Sequence, residues 1–114
     1  MGSKRYLTWL VRPEDVKSGV NVGAEYVMDM DYTPVSATVR SKLPSNFNNL
    51  IVDVNDDGVS IFSNRPNIPR LYQTDEGHLL KTPIREGSII TLDIDQYDSE
   101  AGDITVELLL EGED

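Results

Sequence analysis

The chain has 114 residues, 20 acids against 10 lysines and arginines, one histidine and no cysteine, for a formal charge of −10. That length suits a single core, and one that can fold without metals or disulfides. Cysteine-based zinc fingers, redox motifs and disulfide scaffolds are excluded, and the negative field disfavours nucleic acid and anionic membrane as partners. No stretch nears the roughly 18 apolar residues of a membrane span, and the start, Met1 to Arg5, lacks the apolar run of a signal peptide, so a chain soluble where it is made is expected.

Alternation dominates the pattern, and helical spacing is nearly absent, which predicts an all-β fold. Tyr6 to Val11 reads as a first strand, with Tyr6, Thr8 and Leu10 on one face, Leu7, Trp9 and Val11 on the other, and both faces covered. Arg12 to Gly23, broken by Pro13, Gly19 and Gly23, reads as a long loop. Ala24 to Asp31 is strand-like with imperfect period. Val35 to Leu43 is a cleaner strand, with Val35, Ala37 and Val39 set against Ser36, Thr38 and Arg40.

Pro44 to Asn49 is turn chemistry. Leu50 to Val54, Asn55-Asp56-Asp57-Gly58 and Val59 to Ser63 form a strong hairpin signal, because Asp and Gly tolerate positive φ. Asn64 to Arg70 carries Pro66 and Pro69, which cannot donate to a ladder, and so reads as an edge or loop. Short strands are expected near Leu71 to Thr74 and His78 to Lys81. Ser88 to Asp95 and Asp103 to Leu110 alternate clearly and are expected to pair as a second hairpin across Gln96 to Gly102. Seven to nine short strands at this spacing predict an antiparallel β-sandwich, jelly-roll-like. Residues 32–114 would form the sandwich, and residues 1–31 a strand followed by an attachment arm or loop.

The chemistry-bearing patterns have plain structural readings. Asp53 to Gly58 matches the first half of a calcium-binding loop, but position twelve would be Asn64 where a bidentate Glu is needed, so a hairpin turn is the better reading. Asp93 and Asp95 share one face of a strand, as paired carboxylates in some hydrolases do, yet Ile90, Leu92 and Ile94 hold the buried face and leave these acids to solvent. His78 beside Gly77 has no cysteine and no triad to join. No catalytic, cofactor or metal residue is assigned. Trp9, Tyr6, Tyr26, Tyr32, Tyr72 and Tyr97 could line a sugar-binding groove by stacking on pyranose rings, or serve as packing and interface residues. Trp9, Tyr26, Tyr72 and Tyr97 are the candidates for contact with a partner. Ile89 and Leu109 are apolar on faces that a free-standing sandwich would keep polar, which points to covering by a partner or a second layer.

Two stretches, Val39-Arg40-Ser41-Lys42-Leu43-Pro44 leading into Leu50 to Ser63, and Glu86 to Gln96 followed by Gly102 to Leu108, resemble the hairpins of a small structural module that recurs in the virion proteins of tailed bacteriophages. Between them, residues 63–84 depart from that family's small Ser/Thr-rich loop by carrying Arg65, Pro66, Pro69, Arg70 and Tyr72. The resemblance spans about Tyr32 to Leu110. It implies a jelly-roll module made soluble in a host cytoplasm and then built many times into a virion. Its partners would be capsid, portal or tail proteins and copies of itself, in cyclic symmetry such as a trimer, with no active site. The other reading from a different class is a carbohydrate-binding β-sandwich that recognises host or mucosal glycans.

Overall fold

A computed structural model describes residues 3–12, 19 and 22–113. Eleven strands run in chain order: β1 (Lys4–Val11), β2 (Tyr26–Val27), β3 (Tyr32–Leu43), β4 (Leu50–Asp56), β5 (Val59–Ser60), β6 (Phe62–Asn64), β7 (Asn67–Ile68), β8 (Thr74–Glu76), β9 (His78–Leu79), β10 (Ile89–Gln96) and β11 (Gly102–Gly112). The alternation seen in the sequence becomes the inside and outside of two packed sheets. Leu7, Trp9 and Val11 of β1, Val52 and Val54 of β4, Ile90, Leu92 and Ile94 of β10, and Ile104, Val106, Leu108 and Leu110 of β11 all point into one core. Each such side chain stabilises the fold by roughly 1.5–3 kcal/mol relative to an exposed position.

The pairings are nested. β1 pairs with β11, β2 with β10, β3 with β8 and β4 with β5, all antiparallel. Nesting of this kind is what one long hairpin produces, and its tip is the two-residue turn Asp57-Gly58, with φ of 48° and 86°. Positive φ at both positions is the type I′ geometry, whose twist matches that of the flanking strands. Folding the long hairpin over on itself yields two sheets, β1-β11-β3-β8 and β2-β10-β4-β5, joined by the added contacts β3–β11 and β4–β10. The fold is all-β, an antiparallel sandwich in the jelly-roll arrangement. Off the main sheets, β7 lies along β4, and β6 and β9 form a two-stranded ribbon.

Several sequence expectations change. Although β10 and β11 follow one another, they do not form a hairpin; they sit in opposite sheets, and residues 97–101 cross between the layers. Alternation identifies which face of a strand is buried and carries no information about its neighbour. On β1 only the face with Leu7, Trp9 and Val11 is covered, while Tyr6 and Leu10 are 57% and 75% exposed. Nor is β1 part of an arm apart from the sandwich, since its whole length pairs with β11 from Lys4↔Glu111 to Val11↔Ile104. Val27 pairs with Ile89, and Met28 is in the core, so no boundary falls at residue 31. Most of the expected Arg12 to Gly23 loop lies outside the described residues. In β3 the burial phase slips: Pro34 and Ala37 are buried, while Val35 and Ser36 are exposed. Leu109 faces Ser36 and Leu110 faces Pro34, leaving Val35 as the extra residue of a β-bulge at the position where proline has no N–H to give.

Candidate interaction surface

Strand direction sorts the connections into two ends. β3 runs toward Leu43, β4 starts at Leu50, β10 ends at Gln96 and β11 starts at Gly102, so residues 43–49, 69–73 and 96–101 gather at one end. Asp98 holds them there. Its side chain is buried, one oxygen accepts from the amides of Phe47 (2.5 Å) and Asn48 (2.6 Å), and the other accepts from the amide of Glu100 (2.8 Å). Burial alone would raise this carboxyl, but the amides of Asn48, Glu100, Phe47 and Asn46 outweigh it and hold its pKa below the ordinary value. The third segment is tied in by Leu71 N–H to Ser45 O (2.8 Å) and Arg70 N–H to Asn49 Oδ1 (3.2 Å), and Gln96 Nε2 donates to Asn49 O (2.9 Å).

This scaffold presents a cluster of apolar side chains to solvent. Phe47, Leu71 and Tyr72 are 65%, 68% and 66% exposed, with Tyr97 and Leu43 beside them at 40% and 43%. Leu71 has φ of 70°, a left-handed conformation that costs a leucine about 1 kcal/mol. A large apolar residue held both strained and exposed is an outlier that packing does not explain. Arg70 and Lys42 flank the cluster and take no part in the ion pairs of the described residues, which join Arg5 to Asp29, Arg65 to Asp95 and Arg85 to Asp31.

Of the four residues expected to contact a partner, Tyr72 and Tyr97 lie on this end. Trp9 does not; it is 2% exposed, its indole N–H donates to Ala24 O (2.8 Å), and its ring meets Tyr26 edge-on at 5.2 Å. A partner cannot reach that ring. Tyr26 is half-buried in the same pair, its hydroxyl donating to Thr8 O (2.7 Å). Both aromatics seal the seam between the two sheets. Tyr32 is also in the core, donating its hydroxyl to Asp29 Oδ1 (2.6 Å). The sequence reading missed Phe47, Leu71, Arg70 and Asp98, none of which sits in a strand.

The paired acids are only partly solvated. Asp95 is exposed and bound by Arg65 (2.6 Å), whereas Asp93 is half-buried, accepts from Asn55 Nδ2 (2.6 Å) and lies directly across from Asp53. Burial raises the Asp53 carboxyl above its ordinary pKa; the Ser60 hydroxyl, donating at 2.6 Å, opposes this, and the charges of Asp95 and Asp93 add to it. Each of these acids has a structural partner. The calcium-like hexapeptide ends in the Asp57-Gly58 turn, with Ile89 N–H donating to Asp57 Oδ1 (2.9 Å). His78 is exposed on the small ribbon. A shallow groove of about 800 Å³ crosses the outer face of the first sheet, lined by Thr38, Arg40, Thr74, Glu76, His78 and Glu107 among others; neither Trp9 nor any of the tyrosines expected to stack on sugar lines it. Ile89 is 40% exposed at the far end of the sandwich, and Leu109 is half-covered beside its cross-strand neighbour Tyr6. Compared with protein-family models and with curated proteins, the chain matches none.

Proposed function

We propose that this chain is a non-enzymatic structural protein of a tailed-bacteriophage virion, a jelly-roll module that docks onto capsid, portal or tail proteins through its loop end. The carrying observation is the exposed Phe47, Leu71, Tyr72 and Tyr97 cluster, held in place before any partner arrives by the buried Asp98. Preorganisation of this kind lowers the ordering cost of binding, and aromatic anchors are the residues that interfaces favour. The virion setting rests on the sequence resemblance of residues 39–63 and 86–108; within the first stretch β4 and β5 pair as a hairpin while residues 39–43 belong to β3 of the other sheet, and the second stretch is likewise divided between the two sheets. Repetition on a particle would make modest single contacts add up by avidity.

Mass spectrometry of purified virions should find the chain, and the purified protein should rebind particles lacking it, with Tyr72→Ala reducing that binding by about tenfold or more. Virions without the chain, or rebinding indifferent to Tyr72, would overturn the proposal. A glycan-binding role is the second reading, favoured by Tyr72 and Tyr97 standing exposed on the same end as the exposed amides of Asn46 and Asn48. A glycan array with hits that vanish in Tyr72→Ala and Tyr97→Ala would establish it; an array without hits would remove it.

A further inference from the structure

Asp56 closes β4, at the end of that strand away from the loop cluster. It continues the inward phase of Val52 and Val54, where alternation calls for an apolar residue, and a half-buried carboxylate stands there instead. Its Oδ1 is shut away from solvent and accepts no hydrogen bond, and the carboxylate joins no ion pair among the described residues. The acids around it are held differently. Asp53 accepts from Ser60 Oγ (2.6 Å), Asp93 from Asn55 Nδ2 (2.6 Å) and Asp57 from Ile89 N–H (2.9 Å). A carboxylate drawn partly out of water with neither donor nor cation beside it costs the fold free energy that an arriving cation would recover.

Beside Asp56 lies a cavity of about 100 Å³, lined by Asp56, Val59, Ser60, Ile61, Leu80 and Thr82. Val59 is the cross-strand partner of Asp56, and Leu80 N–H donates to Ile61 O (2.9 Å), which ties the 80–82 segment to the hairpin as a third wall. We propose that this cavity binds a primary alkylammonium group, with the ammonium against the Asp56 carboxylate and the methylene stem along Val59 and Leu80, which are 69% and 53% exposed. The volume equals about three waters at about 30 Å³ each, room for the end of an aliphatic amine and too little for a sugar ring or a nucleotide. Calcium would need about six or more oxygens, and the side chains of Val59, Ile61 and Leu80 offer only hydrocarbon. The chain's own cations next to these walls are committed elsewhere: Lys81 Nζ donates to Val35 O (3.0 Å) and Arg85 Nη1 to Asp31 Oδ2 (3.3 Å). The negative net charge draws a cation in. A lysine side chain on a partner protein and a free aliphatic amine share this chemistry. The site is open on one side, so a single charge pair there binds weakly, with a dissociation constant of about 1–10 mM.

Amide chemical shifts of the nitrogen-15-labelled chain, followed as n-butylammonium chloride is added at constant ionic strength, test this. Saturable shifts are expected at Val59, Ile61, Leu80 and Thr82, while neutral n-butanol and calcium chloride should leave those amides in place. Asp56→Asn keeps the shape and removes the charge, and should weaken binding about tenfold or more. Leu80→Ala, at an exposed position, removes part of the apolar wall and should weaken it about threefold; it decides the matter if the Asp56→Asn spectrum shows a disturbed fold. Nα-acetyl-lysine methylamide separates the two sources. Binding equal to that of n-butylammonium means that the mouth admits a lysine carried on a polypeptide, and binding of the free amine alone confines the site to small amines. No saturation by about 50 mM, equal shifts with n-butanol or calcium, or undiminished binding in Asp56→Asn or Leu80→Ala overturns the proposal. The site is remote from the loop end, so none of these outcomes bears on docking there.

Discussion

Replacing the buried Asp98 by asparagine tests what holds the loop end in shape. The carboxylate accepts from the amides of Phe47, Asn48 and Glu100, two on one oxygen and one on the other. An asparagine oxygen turned toward Phe47 and Asn48 puts its NH2 against the Glu100 amide, which leaves that N–H without an acceptor at about 1–3 kcal/mol. The two surviving bonds lose their charge and about half their strength, a further 0.5–1 kcal/mol or so each. The sum is about 3 kcal/mol. For 114 residues the unfolding entropy is about 240 cal/mol/K, so the midpoint should fall by about 12 °C. Thermal and urea unfolding followed by the fluorescence of Trp9, the only tryptophan, measures this. The pH dependence has a defined sign. A carboxyl whose folded pKa is lowered stabilises the fold fully above its unfolded value of 3.8, and that stabilisation disappears as pH falls through the lower folded value. The difference between Asp98→Asn and the unmodified chain should therefore be full at pH 7 and shrink in acid below 3.8. A difference under about 0.5 kcal/mol at pH 7 would refute the account of the clamp.

Asp53→Asn should act in the opposite direction. Burial and facing charges raise the Asp53 pKa, so the ionised form burdens the fold above the folded pKa and the burden is gone below the unfolded value of 3.8; because solvent screens this half-exposed group, urea unfolding should show the variant more stable at pH 7 by no more than about 0.5 kcal/mol, and equal in acid. Leu71→Gly relieves about 1 kcal/mol of left-handed strain and returns a similar amount as chain entropy, so stability should change by less than about 0.5 kcal/mol while particle rebinding drops; Leu71→Ile, β-branched at the same φ, should cost more than about 1 kcal/mol. A large loss for the glycine variant would mean that the Leu71 side chain packs more than its exposure indicates. A methyl group at Gly77 would stand 2.3 Å from Phe62 Cε1, and that ring is buried, so Gly77→Ala should lower stability by about 2–3 kcal/mol in the same unfolding assay.

Much of the fold is legible in the chain because burial imprints a period of two. Ile90, Leu92 and Ile94, then Ile104, Val106, Leu108 and Leu110, are buried as the alternation indicates, and Asp57-Gly58 makes the turn its chemistry demands. Partnership was less legible. Consecutive alternating strands read most simply as a hairpin, but β10 and β11 have long-range partners on both sides: β2 and β4 for one, β1 and β3 for the other. The inward faces of both strands are apolar enough to sit mid-sheet in either layer. What separates them is the connection, because Asp98 and Ala101 are buried and fix residues 97–101 as a crossover held to the layer opposite, a role that a polar heptapeptide does not advertise.

The loop end was hidden for a related reason. Phe47, Leu71 and Tyr97 are 24 or more residues apart and are brought together by long-range bonds, from the buried Asp98 to the Phe47 and Asn48 amides and from Leu71 N–H to Ser45 O, so no window of sequence contains the surface. One signal was present. In Pro69-Arg70-Leu71-Tyr72-Gln73 two large apolar residues sit in a proline-bounded segment with no strand period to bury them, and in Asn46-Phe47-Asn48 a phenylalanine stands between asparagines. A large apolar side chain in a stretch that cannot bury it lies on the surface, and its exposure has to be compensated by something outside the chain's own core. The same reasoning places Trp9 correctly in retrospect, because Leu7 and Val11 repeat its phase and commit it to the interior. For an aromatic residue in a β protein, then, phase relative to its strand neighbours separates core from contact better than residue type does; Tyr72 and Tyr97, outside any strand, were the two that type and phase agreed upon.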